Sequence, residues 1–380
     1  MNILISTTRM WNPGDEVIYL GVKHLLNQRF GRFTSVLWNR HPGIKPMRGN
    51  YDNSFDGSRH SITPFDYYVS AGGPEWLGPR VSEVYSCLLK AETSCIHLGI
   101  GTGKADVKLD KDAYSVFSKS SSLVTCRDQT TFNSLEGIVA ADKLHLLPCP
   151  SLFSFIDRFK ARETNVVKKV GLNYQGAKML FNNVGDEAYR RCMQAYEKVS
   201  KEFEFTVICN YVDDYNEAVQ IFDPSLVRFS ADISDFYEFF DEVDVVLGTR
   251  IHGCMGAISS GTPGYILDSE KDLRRRGVRE VMEILDPAPM NGDELVALLK
   301  KTNPAELSKR NFAYAEKIKA KYLELLETCP RASVMSDSAF SCNASVGLAD
   351  TARGKYMGEH ASRAVEKAEL LVEKVRRRLL

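Results

Sequence analysis

The chain has 380 residues, enough for two ordinary domains, and 44% of them are hydrophobic, so a globular core is well supplied. Lys plus Arg and Asp plus Glu each number 49, which excludes the basic excess of a nucleic-acid binder, so no nucleic-acid partner is expected. The first residues form no basic and apolar leader, and no apolar run approaches the roughly 18 residues of a spanning helix, so a cytoplasmic location is expected.

The first strand is expected over residues 2–6. The turn after it carries Asn12-Pro13-Gly14-Asp15-Glu16, and a helix follows with Val17, Ile18, Leu20, Val22, Leu25 and Leu26 as its apolar positions. Strands follow at 33–38, at 67–70 running into Ala71-Gly72-Gly73-Pro74, at 95–98 running into Gly99-Ile100-Gly101-Thr102-Gly103, and at 123–126 running into Arg127-Asp128. Short strands alternating with helices are the signature of a parallel sheet with covering helices. Residues 39–64 break this rhythm. A loop of that length in a compact domain is usually functional, and this one is placed to close over an acceptor.

Pro148-Cys149-Pro150-Ser151 and the polar stretch 157–168 mark a linker. Beyond it, strands at 169–173, 204–209, 226–229, 243–247 and 264–267 alternate with helices at 187–202, 213–221, 234–241 and 252–260. The expected fold class is α/β: two doubly wound Rossmann-like domains, similar to the glycosyltransferase-B architecture, with a C-terminal helical extension. The expected domains are 1–155 (N-terminal, acceptor side), 165–290 (C-terminal, donor side) and 291–380 (helical extension and tail). A helix over 304–327 carries Phe312, Ala315, Ile318, Tyr322 and Leu325 near one face. The tail helix at 359–380 has an apolar stripe and ends in Arg376-Arg377-Arg378, which suits a homo-oligomer contact or peripheral attachment to an anionic membrane.

Gly248-Thr249-Arg250-Ile251-His252 follows the strand at 243–247 and opens the next helix. Open α/β sheets bind ligands at this carboxyl edge, and a helix N-terminus adds free N–H groups and a positive dipole end. Arg250 and His252 there describe an anion site with a proton donor beside it. The run Lys271, Arg274, Arg275 and Arg276 starts from the same edge, and one of these cations is expected to reach the anion; Lys271 stands among the expected substrate contacts, and the run itself does not distinguish which of the four it is.

In order, Asn12-x-Gly14-Asp15, Gly72-Gly73, Arg127-Asp128, Gly248-x-Arg250-x-His252 and Gly261-x-Pro263 resemble the polysaccharide pyruvyl transferase family over roughly residues 1–270. Departures are Ile251, where leucine is common in relatives, and Pro74 after the glycine pair. The resemblance implies transfer of a pyruvyl group from phosphoenolpyruvate to a sugar of a glycan or lipid-linked precursor, forming a pyruvate ketal and releasing phosphate. It implies no cofactor beyond the donor substrate. Two arginines from opposite domains, Arg250 and Arg127, suit the donor's phosphate and carboxylate. Histidine best meets the need for a general acid near neutrality, so His252 is assigned that role, with Asp15 as the acceptor's base. Asn12, Gly14, Gly72, Gly73, Gly248 and Ile251 complete the expected substrate contacts.

Structural readings stand beside these. Arg250 could pair with Asp244 or Asp268, Asp15 could serve only the helix N-terminus, and Asp128 reads as an N-cap. Gly99-x-Gly101-x-Gly103 lacks a full phosphate-loop fingerprint, and His97 reads as a core histidine. The nine cysteines form no Cys-x-x-Cys pair and read as buried thiols, with Cys149 and Cys254 near the site; no metal is expected. The alternative functions are a nucleotide-sugar-dependent glycosyltransferase of the same architecture and a non-catalytic subunit of a polysaccharide assembly complex.

Overall fold

The computed structural model describes residues 1–8, 13–39, 65–73, 81–102, 109–177, 186–267 and 273–330. The expectations for Asn12, Pro74, Lys271, the loop at 40–64 and the tail at 359–380 lie outside the described residues.

The first sheet has the strands β1 (Asn2–Thr7), β2 (Thr34–Asn39), β3 (Tyr67–Gly73), β4 (Ser94–Ile100), β5 (Ser121–Cys126) and β6 (Leu144–Leu146). Their spatial order is β2-β1-β3-β4-β5-β6, and every pairing is parallel. Its helices are α1 (Pro13–Phe30), α2 (Val81–Lys90), α3 (Lys111–Ser115) and α4 (Gln129–Leu135). The second sheet has β7 (Lys169–Tyr174), β8 (Glu204–Cys209), β9 (Val227–Arg228), β10 (Val245–Gly248), β11 (Gly264–Leu267) and β12 (Asp286–Ala288), in the order β12-β11-β10-β7-β8-β9, again all parallel. Its helices are α5 (Asp186–Glu202), α6 (Val212–Ile221), α7 (Asp235–Asp241), α8 (Ile251–Ser260) and α9 (Leu273–Val281). Two helices follow, α10 (Gly292–Lys301) and α11 (Pro304–Thr328). The α/β fold of two doubly wound sheets with a helical extension is therefore present.

Strands covered on both faces must be apolar throughout, and β3 is buried at every position. Successive residues of β10 divide between two cores. Val246 joins the core shared by both sheets, and Val245 and Leu247 join the one beneath α5 and α10. The shared core draws Val17, Ile18 and Val22 from α1, Met255 and Ile258 from α8, and Ile318, Tyr322 and Leu326 from α11.

Helix ends follow local chemistry. Asp128 caps α4 by accepting from Thr131 N, Asn291 caps α10 by accepting from Asp293 N and Glu294 N, and Asn303 caps α11 with Pro304 in the first turn. The linker is pinned to the second domain: Lys160 N donates to Ser260 O at 3.0 Å, and Arg162 Nη1 donates to Asp241 Oδ1 at 2.9 Å.

Three details differ from the sequence reading. The strands β6 and β12 are three residues each, too short to show a period. The strand β3 continues through the glycine pair to Gly73. The buried stripe of α11 runs Ala315, Ile318, Tyr322 and Leu326, while Leu325 is only partly covered and Phe312 is exposed, resting on Phe159 with ring centroids 4.5 Å apart. The helix turns back to the first domain, where Tyr322 OH donates to Pro148 O at 2.8 Å and Arg29 Nε donates to Leu326 O at 3.1 Å.

Gly261 ends α8 at φ 106°, and a Cβ there would stand 2.0 Å from Lys160 O. The left-handed conformation alone costs about 1–2 kcal/mol for a residue with a side chain. Gly261→Ala should therefore lower unfolding stability by more than about 2 kcal/mol, read as a fall in the urea midpoint at constant slope. An unchanged midpoint would contradict the tight linker contact.

Candidate active site

The carboxyl edge of β10 is fitted closely against β7. A Cβ on Gly248 would lie 2.4 Å from Asn173 O, so this glycine serves strand packing. Thr249 Oγ1 donates to Gln175 Oε1 at 2.9 Å. Arg250 follows as the N-cap residue of α8. Its Nη2 donates to Asp214 Oδ2 at 2.5 Å, and its Cζ stands 4.2 Å from the centre of the Tyr211 ring. Its Nε is buried and has no hydrogen-bond partner. A guanidinium stacked on an aromatic face and tied at one corner is held in one plane, and its buried Nε–H is left for a ligand.

The acid that pairs with Arg250 is neither Asp244 nor Asp268. Asp244 accepts from Lys168 N and Lys169 N at 2.8 and 2.9 Å, and Asp268 lies outside the described residues. Asp214 is fully buried, and its Oδ1 accepts from Gly176 N at 2.9 Å. Burial pushes the Asp214 carboxyl above its ordinary value, and Arg250 and the Gly176 N–H oppose that rise. Glu217 braces the same turn: it accepts from Ala177 N at 2.8 Å, from Tyr189 OH at 3.2 Å and from Tyr174 OH.

The first domain supplies the facing half. Arg127 stands at the end of β5, and its Nη1 lies 2.9 Å from His252 Nε2. A guanidinium only donates, so Nε2 accepts and the imidazole is neutral with its proton on Nδ1. Cys149 Sγ lies 3.9 Å from Arg127 Nη1 and 4.0 Å from His252 Nε2. A Cβ on Gly101 would meet Arg127 and Asp128, so Gly101 packs under that pair. Gly277 of α9 would likewise place a Cβ 3.0 Å from Asp128 Cβ, a further contact between the domains.

Asp15 sits half-buried in the first turn of α1. It faces the second domain closely enough for its charge to help burial raise the Tyr211 phenol, against the pull of Arg250. Gly14 is buried in the same turn, and Ile251 packs partly into the shared core. Gly72 and Gly73 adopt φ of 65° and 74°, and a Cβ on Gly72 would stand 2.8 Å from Ile18. The glycine pair thus lets β3 end tightly against α1. Among the described residues no group of three His, Cys, Asp or Glu side chains is placed to hold a metal.

The structure brings Arg127 against His252 and Asp15 towards Tyr211. The sequence reading missed Tyr211, Asp214 and Gly176. They follow β8 and β7, and only tertiary pairing reveals their link to Arg250.

Asp214→Asn keeps an oxygen for Arg250 but removes the charge. Loss of one charge-assisted hydrogen bond, about 1.5–3 kcal/mol, should weaken anion binding at Arg250 roughly tenfold to a hundredfold. Because the folded-state value of Asp214 is raised, the carboxyl gains its proton as pH falls through a range above that of an ordinary aspartate. Anion affinity should fall across that range in the native protein, and calorimetric titration should show that step missing in Asp214→Asn.

The chain matches the family model described as polysaccharide pyruvyl transferase over residues 12–271. Among solved structures it is similar to a putative UDP-N-acetylglucosamine 2-epimerase from Listeria monocytogenes, with TM-score 0.53 and 11% identity, covering 87% of this chain and 98% of that one. It is also similar to UDP-GlcNAc 2-epimerase from Neisseria meningitidis, with TM-score 0.48 and 11% identity, covering 85% of this chain and 100% of that one. At such identity the first likeness speaks for the fold alone. No curated protein sequence matches the chain significantly. The family match spans more than half the chain, and this protein belongs to the polysaccharide pyruvyl transferase family.

Proposed function

We propose that the protein transfers a pyruvyl group from phosphoenolpyruvate to a sugar of a glycan or lipid-linked precursor in the cytoplasm. The observation that carries this reading is the family match over residues 12–271, and the strand ends of the two sheets supply two cations to go with it: Arg250, stacked and tethered with a buried Nε that has no partner, and Arg127 against His252. Two guanidiniums suit a small donor bearing both a phosphate and a carboxylate.

Donor binding would draw Arg127 from His252 Nε2, which then takes up and delivers the proton needed at the donor's methylene carbon. The donor's C2 becomes electrophilic as that proton arrives. One acceptor hydroxyl loses its proton to Asp15 and bonds to C2. A second hydroxyl of the same sugar bonds to C2 as the C2–O bond to phosphate breaks, and its proton leaves with the phosphate. The product is the pyruvate ketal plus inorganic phosphate. The site residues supply the neutralising charge themselves, so neither cofactor nor metal enters this scheme.

Arg250→Ala should lose on the order of a hundredfold or more in transfer, measured as phosphate release with a sugar acceptor. His252→Ala should lose transfer and keep donor affinity by calorimetry. Loss of donor affinity in His252→Ala would make it a binding residue and remove it as the acid. Activity should persist in excess chelator; collapse restored by magnesium or manganese would refute the metal-free scheme.

A further inference from the structure

His252 has to gain a proton before it can deliver one. Its Nε2 accepts from Arg127 Nη1 at 2.9 Å, and the imidazole is neutral. The thiol of Cys149 lies 4.0 Å from the same nitrogen and 3.9 Å from Arg127 Nη1, within reach of a sulfur hydrogen bond to either. The three groups form a triangle across the two domains. One takes a proton, one can give a proton, and the third is a cation that favours the thiolate left behind.

The sulfur is held in place from several sides. Cys149 is fully buried between Pro148 and Pro150, whose rings fix their own φ angles. Pro148 O accepts from Tyr322 OH of α11 at 2.8 Å. A Cβ on Gly99 of β4 would stand 2.2 Å from Pro150 Cδ, and one on Gly21 of α1 would stand 1.8 Å from Pro150 O. Sγ therefore keeps its position when Arg127 or His252 moves.

An ordinary thiol holds its proton about two pH units more tightly than an imidazole, which is about a hundredfold against transfer from Cys149 to His252. Two charges offset that. Arg127 stands against the sulfur and favours a thiolate. The donor is an anion with a phosphate and a carboxylate, and its arrival favours an imidazolium beside it. From α11 the Tyr322 phenol faces the same sulfur, and the Cys126 thiol of β5 lies near that phenol. Burial raises both groups and keeps them neutral, so neither opposes the transfer with a charge of its own.

We propose that Cys149 is a positioning residue that supplies His252 with its proton: as the donor draws Arg127 off Nε2, the S–H bond breaks, the proton passes to Nε2, and a thiolate–imidazolium pair stands beside the bound donor. The imidazolium then gives that proton to the donor's methylene carbon. After the ketal and phosphate leave, solvent restores the thiol and takes the proton that Asp15 held, so the protein ends as it began. Cys149 forms no bond to the donor and acts only through His252. This rests on the pyruvyl-transfer reading and adds to it the source of the acid's proton.

The consequence is a pH profile. Thiol and imidazole share one proton and lose it as a pair, in the range of the thiol. Turnover should therefore hold as pH rises through the imidazole range and fall only above it. Cys149→Ser keeps the size of the side chain, but a hydroxyl is far too weak an acid to give its proton to an imidazole. His252 must then be protonated from solvent, and the alkaline fall of kcat should move down by about two pH units, towards about 6.5. At pH 8 the variant should turn over about tenfold or more slowly, with phosphoenolpyruvate affinity by calorimetry unchanged. Ultraviolet difference absorbance reads the pair directly. Phosphoenolpyruvate added without acceptor should raise the thiolate band in the unsubstituted protein and leave it flat in Cys149→Ser. Thermal melting is measured alongside. A variant that melts lower with its alkaline limb in place marks the thiol as packing and overturns the proposal. So does an unsubstituted protein that binds phosphoenolpyruvate without a thiolate band. A protein that binds no phosphoenolpyruvate at all fails the donor reading as well, and calorimetry tells the two failures apart.

Discussion

One apolar core holds the two sheets with their carboxyl edges facing each other, and the site depends on that. It is built from α1, α8 and α11 together with the inner faces of both sheets. Gly256 lets α8 approach closely: a Cβ there would sit 3.6 Å from Val17 of α1 and 3.0 Å from Phe240. Gly21 does the same on the other side, where a Cβ would stand 1.8 Å from Pro150 O. This packing holds the contact between Arg127 and His252, residues of opposite domains. Interior packing tolerates little change of volume, so a small loss of fit between α1 and α8 would be felt directly in that polar contact.

The electrostatics of the site rest on burial as much as on charge. Burial raises the Asp214 carboxyl, and Arg250 and the Gly176 N–H oppose that rise. A buried pair of this kind contributes less to folding than to geometry, since desolvation offsets most of the attraction. What it secures is the plane of the Arg250 guanidinium over Tyr211. Glu217 acts in a comparable way from the next turn of α6. Two phenols and a backbone N–H satisfy it, and it so fixes the turn that carries Gly176.

Much of this was legible in the sequence. The alternation of strand and helix, the break near 150–168 and the strand-to-helix step at Arg250 all follow from local patterns, and local patterns are what a single sequence records well. Asp128 was readable as a cap for the same reason. The partners of Arg250 were not. Asp214 is 36 positions away and reaches Arg250 only because β8 lies two strands from β10 across β7. The meeting of Arg127 and His252, 125 positions apart, likewise needed the packing of whole domains.

The return of α11 to the first domain has a consequence for how the chain is made. Tyr322 fills the shared core and bonds Pro148 O and Thr125 Oγ1, and Leu326 O takes the Arg29 side chain. Synthesis runs from the N-terminus, so the first sheet leaves the ribosome long before this helix exists. Until residue 326 has emerged, the apolar side of α1 and the strands beneath it lack their last cover. Nascent chains of intermediate length thus carry an open hydrophobic face, the kind of surface that general chaperones hold. The first domain reaches its final form only when nearly all of the second has been translated.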